Sequence, residues 1–222
     1  MLKFYARLLE LPLFMGIGKN DLTEIIETTR FGFLKITKNE ILTTTTTKAN
    51  RLYFLIDGSL YSESKSDDNS YTVIEEMKAP LVIQPENIFG VHNFYTKSYI
   101  AKTECSILYI DKQEILRLSS KYLVFQLNFI NIICTQAQRN NKIFWQRQPK
   151  DIRNKLIHFI QIHCNKLSGR KIIKIKMQTL ADNIHESRLN ISNLLKKLQQ
   201  ENLLIQSRGK IIIPQIEKFN IC

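Results

Sequence analysis

Residues 187–198 read Ser-Arg-Leu-Asn-Ile-Ser-Asn-Leu-Leu-Lys-Lys-Leu. Ile191, Leu194, Leu195 and Leu198 recur at steps of 3, 1 and 3, the spacing of a helix face turned to a core. Arg188, Leu189, Ser192, Asn193 and Lys196 fall largely on the outward face, and Ser187 sits where an N-cap would. Upstream, Gln178-Thr-Leu-Ala-Asp-Asn-Ile gives a short helix burying Leu180, Ala181 and Ile184, followed by a tight connection at His185-Glu186. Downstream, Leu203-Leu-Ile and Lys210-Ile-Ile-Ile flank Ser207-Arg208-Gly209, a β-hairpin with a basic tip. A short helix, a turn and a second helix with polar, basic first turns form a helix-turn-helix, which places its second helix in the major groove. The hairpin is a wing that can lie against phosphate. An ordinary α-helical hairpin with a solvated charged face has the same local pattern.

The charge of the chain favours the first reading. Lys and Arg number 32 against 20 Asp and Glu, a net of +12 over 222 residues. Residues 1–112 carry 13 basic and 14 acidic groups, residues 113–145 carry 4 and 1, and residues 146–222 carry 15 and 5. The last third of the chain therefore holds +10. Such asymmetry marks an appended polyanion-binding part, for nucleic acid first and anionic membrane second.

Other chemistries find no support in the residues. No G-x-S-x-G, P-loop or H-E-x-x-H occurs, so no enzyme is expected. Cys105, Cys134, Cys164 and Cys222 are scattered with no C-x-x-C, so no metal site or disulfide framework is expected. His158 lies five and six residues from His163 and Cys164, on a different helix face, and these read as buried thiols and partly buried imidazoles. No run of about 18 apolar residues exists, so no membrane span is expected. The N-terminal stretch holds Lys3, Arg7 and Glu10, unlike a signal peptide, and a cytoplasmic location is expected.

The elements that must position the basic end read as follows. Residues 1–28 form short helices. From Arg30 to Ile110, short β-branched and aromatic runs alternate with turns at Lys38-Asn39, Asp57-Gly58 and Asp67-Asp68-Asn69, the pattern of a barrel or sandwich. The homopolymer Thr43–Thr47 reads as an exposed strand or its adjoining loop. From Lys112 to Trp145 the chain lacks Gly and Pro and becomes helical. Leu116, Leu123, Leu127, Ile130, Cys134, Ala137 and Phe144 lie in one frame, with steps of 4, 3, 4, 3 from Leu123 to Ala137, a coiled-coil-like seam. A second stripe holds Tyr122, Phe125, Phe129, Ile132 and Ile133. Two apolar faces need two partners: one is assigned to the chain's own barrel and the other to a second copy, with a buried monomeric core helix as the alternative. Gln148-Pro149 closes this segment, Lys150–Leu167 reads as a helix, and Lys171–Lys176 as a short strand. The expected fold is α+β, with a β-barrel at 1–111, a long dimerisation helix at 112–147 and a winged helix-turn-helix at 148–222.

Ser187-Arg188-x-x-Ile191-Ser192, Leu194-Leu195-Lys196-x-Leu198-x-x-x-Asn202-Leu203 and the Arg208-Gly209-Lys210 wing resemble the C-terminal domain of the Crp/Fnr family of bacterial transcription regulators. Asp57-Gly58-Ser59, Ala101–Cys105 and Ile107–Ile110 resemble turns and strands of that family's jelly-roll, cyclic-nucleotide-binding-like barrel. The resemblance implies a homodimer on a near-palindromic DNA operator, with RNA polymerase as a further partner and no membrane. It implies base reading by Arg188, Leu189 and Asn193, with arginine matched to guanine, amide to adenine and leucine to a thymine methyl. It puts phosphate contacts at Gln178, Ser187, Asn190, Ser192, Lys196, Arg208 and Lys210. His185 takes a turn position that is often glycine. Cyclic-nucleotide-binding members carry Gly-Glu and then an arginine; here Ile83-Gln84-Pro85-Glu86 stands instead, and no arginine lies between Arg51 and Arg117. Lys97 lies near the phosphate position but is a point charge rather than a fork. Cyclic AMP is thus not expected, no cofactor is predicted, and the effector is unassigned. Iron–sulfur members need N-terminal clustered cysteines, and the first cysteine here is Cys105. The rival reading is a small-molecule-binding module whose basic end docks a protein or a membrane.

Overall fold

The computed structural model describes residues 2–145, 147 and 149–219. Gln148 and Cys222 lie outside the described residues, as does the side chain of Phe144. The chain divides into two compact units, residues 1–60 with 77–144 and residues 61–76 with 145–222.

In the first unit, helices α1 (Leu2–Leu9) and α2 (Lys19–Thr28) precede strands β1 (Gly32–Ile36), β2 (Ile41–Thr43) and β3 (Arg51–Asp57). After the segment that belongs to the other unit come β6 (Leu81–Ile83), β7 (Ser98–Ala101) and β8 (Cys105–Asp111), then helices α3 (Lys112–Lys121) and α4 (Leu123–Phe144). The sheet order is β1-β8-β3-β6, all antiparallel, and β2 pairs with β7. Leu52, Phe54, Tyr99, Ala101, Ile107 and Phe125 share one buried cluster. The β3 strand can turn sharply because Gly58 has φ +93°, and a Cβ there would lie 2.4 Å from the Glu104 carbonyl. The threonine run ends β2 and then makes a turn: the Thr47 N–H donates to Thr44 O, and Thr43 is buried.

The expected single helix from 112 to 145 is two. Tyr122, with φ −117° and ψ 102°, breaks it between α3 and α4. Its ring is buried and its hydroxyl donates to Glu24 Oε2 at 2.9 Å, contacts that an unbroken helix would not provide at this position. The stripe Tyr122, Phe125, Phe129, Ile132 and Ile133 packs in the core of its own unit. Asn128 fixes α4 further by donating from Nδ2 to the carbonyls of Leu13 and Met15 at 3.2 and 2.8 Å.

The second unit contains the hairpin of β4 (Ser59–Lys65) and β5 (Tyr71–Lys78), whose residues 61–76 group with the C-terminal part although the sequence pattern assigns them to the barrel. The reason is pairing: β5 runs antiparallel to β9 (Lys171–Ile175), from Tyr71↔Ile175 to Glu75↔Lys171. Within this unit the strand order is β10-β11-β9-β5-β4, with β10 at Ile205–Ser207 and β11 at Lys210–Ile213. Helices α5 (Ile152–His163), α6 (Met177–Asn183) and α7 (Arg188–Gln200) complete it. Helix α5 stops at His163 rather than at Leu167, because the Asn165 and Lys166 amides donate to the Glu75 carboxylate at 2.8 and 3.2 Å instead of continuing the helix. Val73, Phe159, Ile173, Leu180, Ile191, Leu195 and Ile211 form the core. Each such side chain contributes about 1.5–3 kcal/mol by leaving water.

Candidate nucleic-acid interface

Helices α6 and α7 meet through a turn that bends at His185, whose φ of +53° is left-handed, the conformation glycine takes at low cost. The Ser187 side chain caps α7 by accepting from the Asn190 N–H at 3.1 Å. Ile191, Leu195 and Leu198 turn inward and are buried, while Leu194 packs at the edge. Lys155 Nζ donates to Glu186 Oε1 at 2.6 Å, tying α5 to the turn, and Asn190 Nδ2 donates to Glu186 Oε2 at 3.4 Å. The lysine first and the amide second hold the Glu186 carboxyl below its usual 4.5.

The outward face of α7 is a ridge between two grooves. A groove of about 1030 Å³ on one flank is lined by Arg188, Lys196, Gln199, Gln206, Arg208 and Lys210, with Ile175, Lys176 and Met177 forming a wall. The wing tip stands here because Arg208-Gly209 closes a two-residue hairpin, and Gly209 supplies the positive φ of +69°. A second groove of about 610 Å³ on the other flank holds Asn190, Asn193 and Lys197 with Lys150, Arg153 and Glu186. Arg188, Lys196, Arg208 and Lys210 are thus brought together, and Asn193 lies on the far side of the ridge from Arg188. Leu189 is 70% exposed on the ridge, and Ser192 is half-buried. Gln178 is exposed but bonds along its own helix, from Nε2 to Asp182 Oδ1 at 2.8 Å. Sequence reasoning missed Lys150, Arg153, Lys197 and Gln206. The +10 count contained the three cations, but only the fold places them along α7. Arg153 is engaged with Glu201 at 3.2 Å.

The seam residues lie on the solvent face of α3 and α4. Leu123 is 66%, Leu127 48% and Ile130 46% exposed, and Leu116, Cys134 and Ala137 are exposed as well.

In the stretch that stands in place of the family's cyclic-nucleotide motif, the polar groups are engaged locally at Gln84. Gln84, at φ +40°, donates from Nε2 to Thr96 Oγ1 at 2.5 Å and accepts from the Thr96 N–H at 3.2 Å. Burial pushes the Glu86 carboxyl up. Tyr95 is buried beside Tyr53, with ring centroids 6.1 Å apart, and its hydroxyl donates to Arg51 O at 2.5 Å. Thr43 Oγ1 and Asn87 Nδ2 are buried with no hydrogen-bond partner.

Among the described residues no group of three His, Cys, Asp or Glu could hold a metal, and no helix is long and apolar enough to cross a membrane. Residues 33–122 match the family described as the cyclic nucleotide-binding domain. The fold is similar to that of the catabolite activator protein of Thermus thermophilus, 12% identical over 94% of this chain and 96% of that one, with a TM-score of 0.51. A protein from Eubacterium rectale described as a transcriptional regulator of the Crp/Fnr family is 16% identical over 95% and 97%, at 0.52. A transcriptional regulator from Thermotoga maritima is 21% identical over 56% of this chain and 95% of its own, at 0.50. No curated protein matches the sequence.

Proposed function

We propose that this chain, with a cyclic-nucleotide-binding-type barrel segment and the fold of Crp/Fnr-type regulators, is a homodimeric, sequence-specific DNA-binding transcription regulator. The observation that carries the reading is the capped helix α7 rising between grooves lined by Arg188, Lys196, Arg208 and Lys210 on one flank and Lys150 and Lys197 on the other. A ridge of base-reading side chains with cations on both sides suits a major groove bounded by two phosphate backbones. Arg188 reads guanine, Leu189 offers an apolar contact, and Asn193 reads toward the opposite flank. Lys196, Arg208 and Lys210 meet phosphate, as do Ser187, Ser192 and Asn190. Gln178 joins them once its bond to Asp182 is released. The exposed stripe of Leu116, Leu123, Leu127, Ile130, Cys134 and Ala137 pairs two copies, so that the two recognition helices address half-sites about one helical turn apart. RNA polymerase is the further partner such a regulator engages.

The barrel does not take cyclic AMP in this reading. No arginine lies between Arg51 and Arg117 to fork onto a cyclic phosphate, Gln84 is engaged with Thr96, and burial disfavours the charged form of Glu86. Its effector is of another chemistry, or the barrel is a scaffold.

The test is selection of bound sequences from a random DNA pool, followed by gel shifts with wild type and Arg188→Ala. A two-half-site consensus whose guanine preference is lost in Arg188→Ala is expected. Equal binding to all sequences overturns the reading. For the dimer, mild oxidation should give a covalent pair through Cys134 that Cys134→Ser abolishes; a monomer at micromolar concentration in sedimentation overturns that part.

A further inference from the structure

We propose that the hairpin 61–76 is a working part of the C-terminal unit, held there by a buried Glu75–Lys171 pair, and that its seating keeps the wing groove in the form that binds DNA. Glu75 and Lys171 are fully buried, with Lys171 Nζ 2.9 Å from Glu75 Oε1. The same carboxylate accepts the Asn165 and Lys166 amides, so one side chain satisfies a buried cation and caps the loop after α5. At the other end of the ladder, Tyr71 bonds His163 Nε2 at 2.7 Å, while His163 Nδ1 contacts Phe159 O at 2.6 Å. The carbonyl can only accept, so Nδ1 carries a proton, and in the neutral ring Nε2 then accepts from the tyrosine hydroxyl. Val73 from β5 lies in the same core as Phe159 and Ile173.

The route to the groove is short. Strand β9 lies between β5 and β11, its last residue Ile175 donates its N–H to Gly209 O at 3.0 Å in the wing turn, and Ile175, Lys176 and Met177 form the groove wall. Glu75 is therefore a positioning residue: it touches no nucleic acid and acts through Lys171 and β9. Releasing the hairpin would leave Lys171 buried without its carboxylate, two loop amides without an acceptor and one edge of β9 open, each unfavourable. The core packing of the wing and helices would remain.

The ladder supplies a selective readout. The Glu76 N–H donates to Arg170 O, so by antiparallel alternation Ile172 and Lys174 direct their amides to β5, while Ile175 directs its amide to the wing. Amide hydrogen exchange of the full chain is compared in wild type, Glu75→Gln and Glu75→Gln/Lys171→Met, the last of which keeps a carbonyl acceptor for the loop amides and removes the buried cation. In Glu75→Gln, exchange at Ile172 and Lys174 should rise at least tenfold, with less than threefold change at Ile173 and Ile175. Affinity for the selected DNA should fall at least fivefold, and the double variant, with no buried cation left to match, should return both to within threefold of wild type. No change in exchange, or an equal rise at all four amides, overturns the proposal. Should Glu75→Gln not fold, the neighbouring pair Thr72→Cys/Lys174→Cys serves, in a Cys134→Ser background. A disulfide that forms readily and leaves DNA binding intact supports a seated hairpin as the competent form, whereas a failure to form, or loss of binding once formed, overturns it. The DNA arm rests on the function proposed above, and the exchange arm does not, so the two can fail separately.

Discussion

The two units place their polar chemistry in opposite positions. In the first, tyrosines 53, 95 and 99 are buried, the rings of Tyr53 and Tyr95 lie 6.1 Å apart, and the Tyr95 hydroxyl is satisfied by the Arg51 carbonyl. In the second, Arg188, Lys196 and Arg208 stand in solvent, and Lys171 is the buried exception, matched by Glu75. The first unit is specified by how its interior fits, whereas the working part of the second is a surface. Substitutions should therefore act on stability in one and on recognition in the other, and five experiments can break or sharpen that division.

The largest effect is expected in the interior. Phe54 is fully buried with its ring 5.8 Å from that of Phe14, so Phe54→Ala should lose about 3–5 kcal/mol in urea unfolding. The DNA affinity of the remaining folded protein should be unchanged, and a proportionate fall in affinity would erase the division. Next, Leu127→Lys with Ile130→Lys alters exposed positions, so the melting curve of the monomer should hold. Binding to a two-half-site operator should drop about a hundredfold or more, as linked binding is lost. Third, Arg188→Ala should cost about 1–3 kcal/mol on the preferred site and little on random DNA, read by titration of both. Arg208→Ala, on the wing, should weaken every sequence alike and flatten the log K against log salt slope by about 1. The smallest effect concerns acid. Glu186 titrates lower in the folded chain than in the unfolded one, so the folded state binds fewer protons here. The Lys155 pair therefore contributes in full above pH 4.5 and fades as the pH falls through the lowered folded value. Lys155→Met should make acid unfolding less steep in that range, and an unchanged profile would remove the pair from the account.

The helix-turn-helix was legible because its signals are local: the capping serine, the inward leucines and the Arg208-Gly209 turn all lie within one or two helical turns of their effects. The apolar stripe of α4 was legible for the same reason. Tyr122 hid the helix break, because tyrosine does not forbid a helix and its reason for leaving one is Glu24, 98 residues away. The hairpin was hidden more deeply. Its alternation is that of any barrel strand, and Glu75 and Lys171 look like ordinary surface charges until the fold brings them together. The division of α7 between two flanking grooves, which separates Asn193 from Arg188, likewise depends on α5 and the wing rather than on helical spacing.

The same hairpin bears on how the chain is made. Glu75 leaves the ribosome 96 residues ahead of Lys171. At about 5–20 residues per second, β5 has to wait about 5–20 s for the strand it pairs with. During that interval its outer edge is open, and the barrel segments on either side are already available to fold. The C-terminal unit is thus completed last although one of its inner strands is synthesised in the first half of the chain, and translation past residue 175 is the step at which that strand can first find its partner.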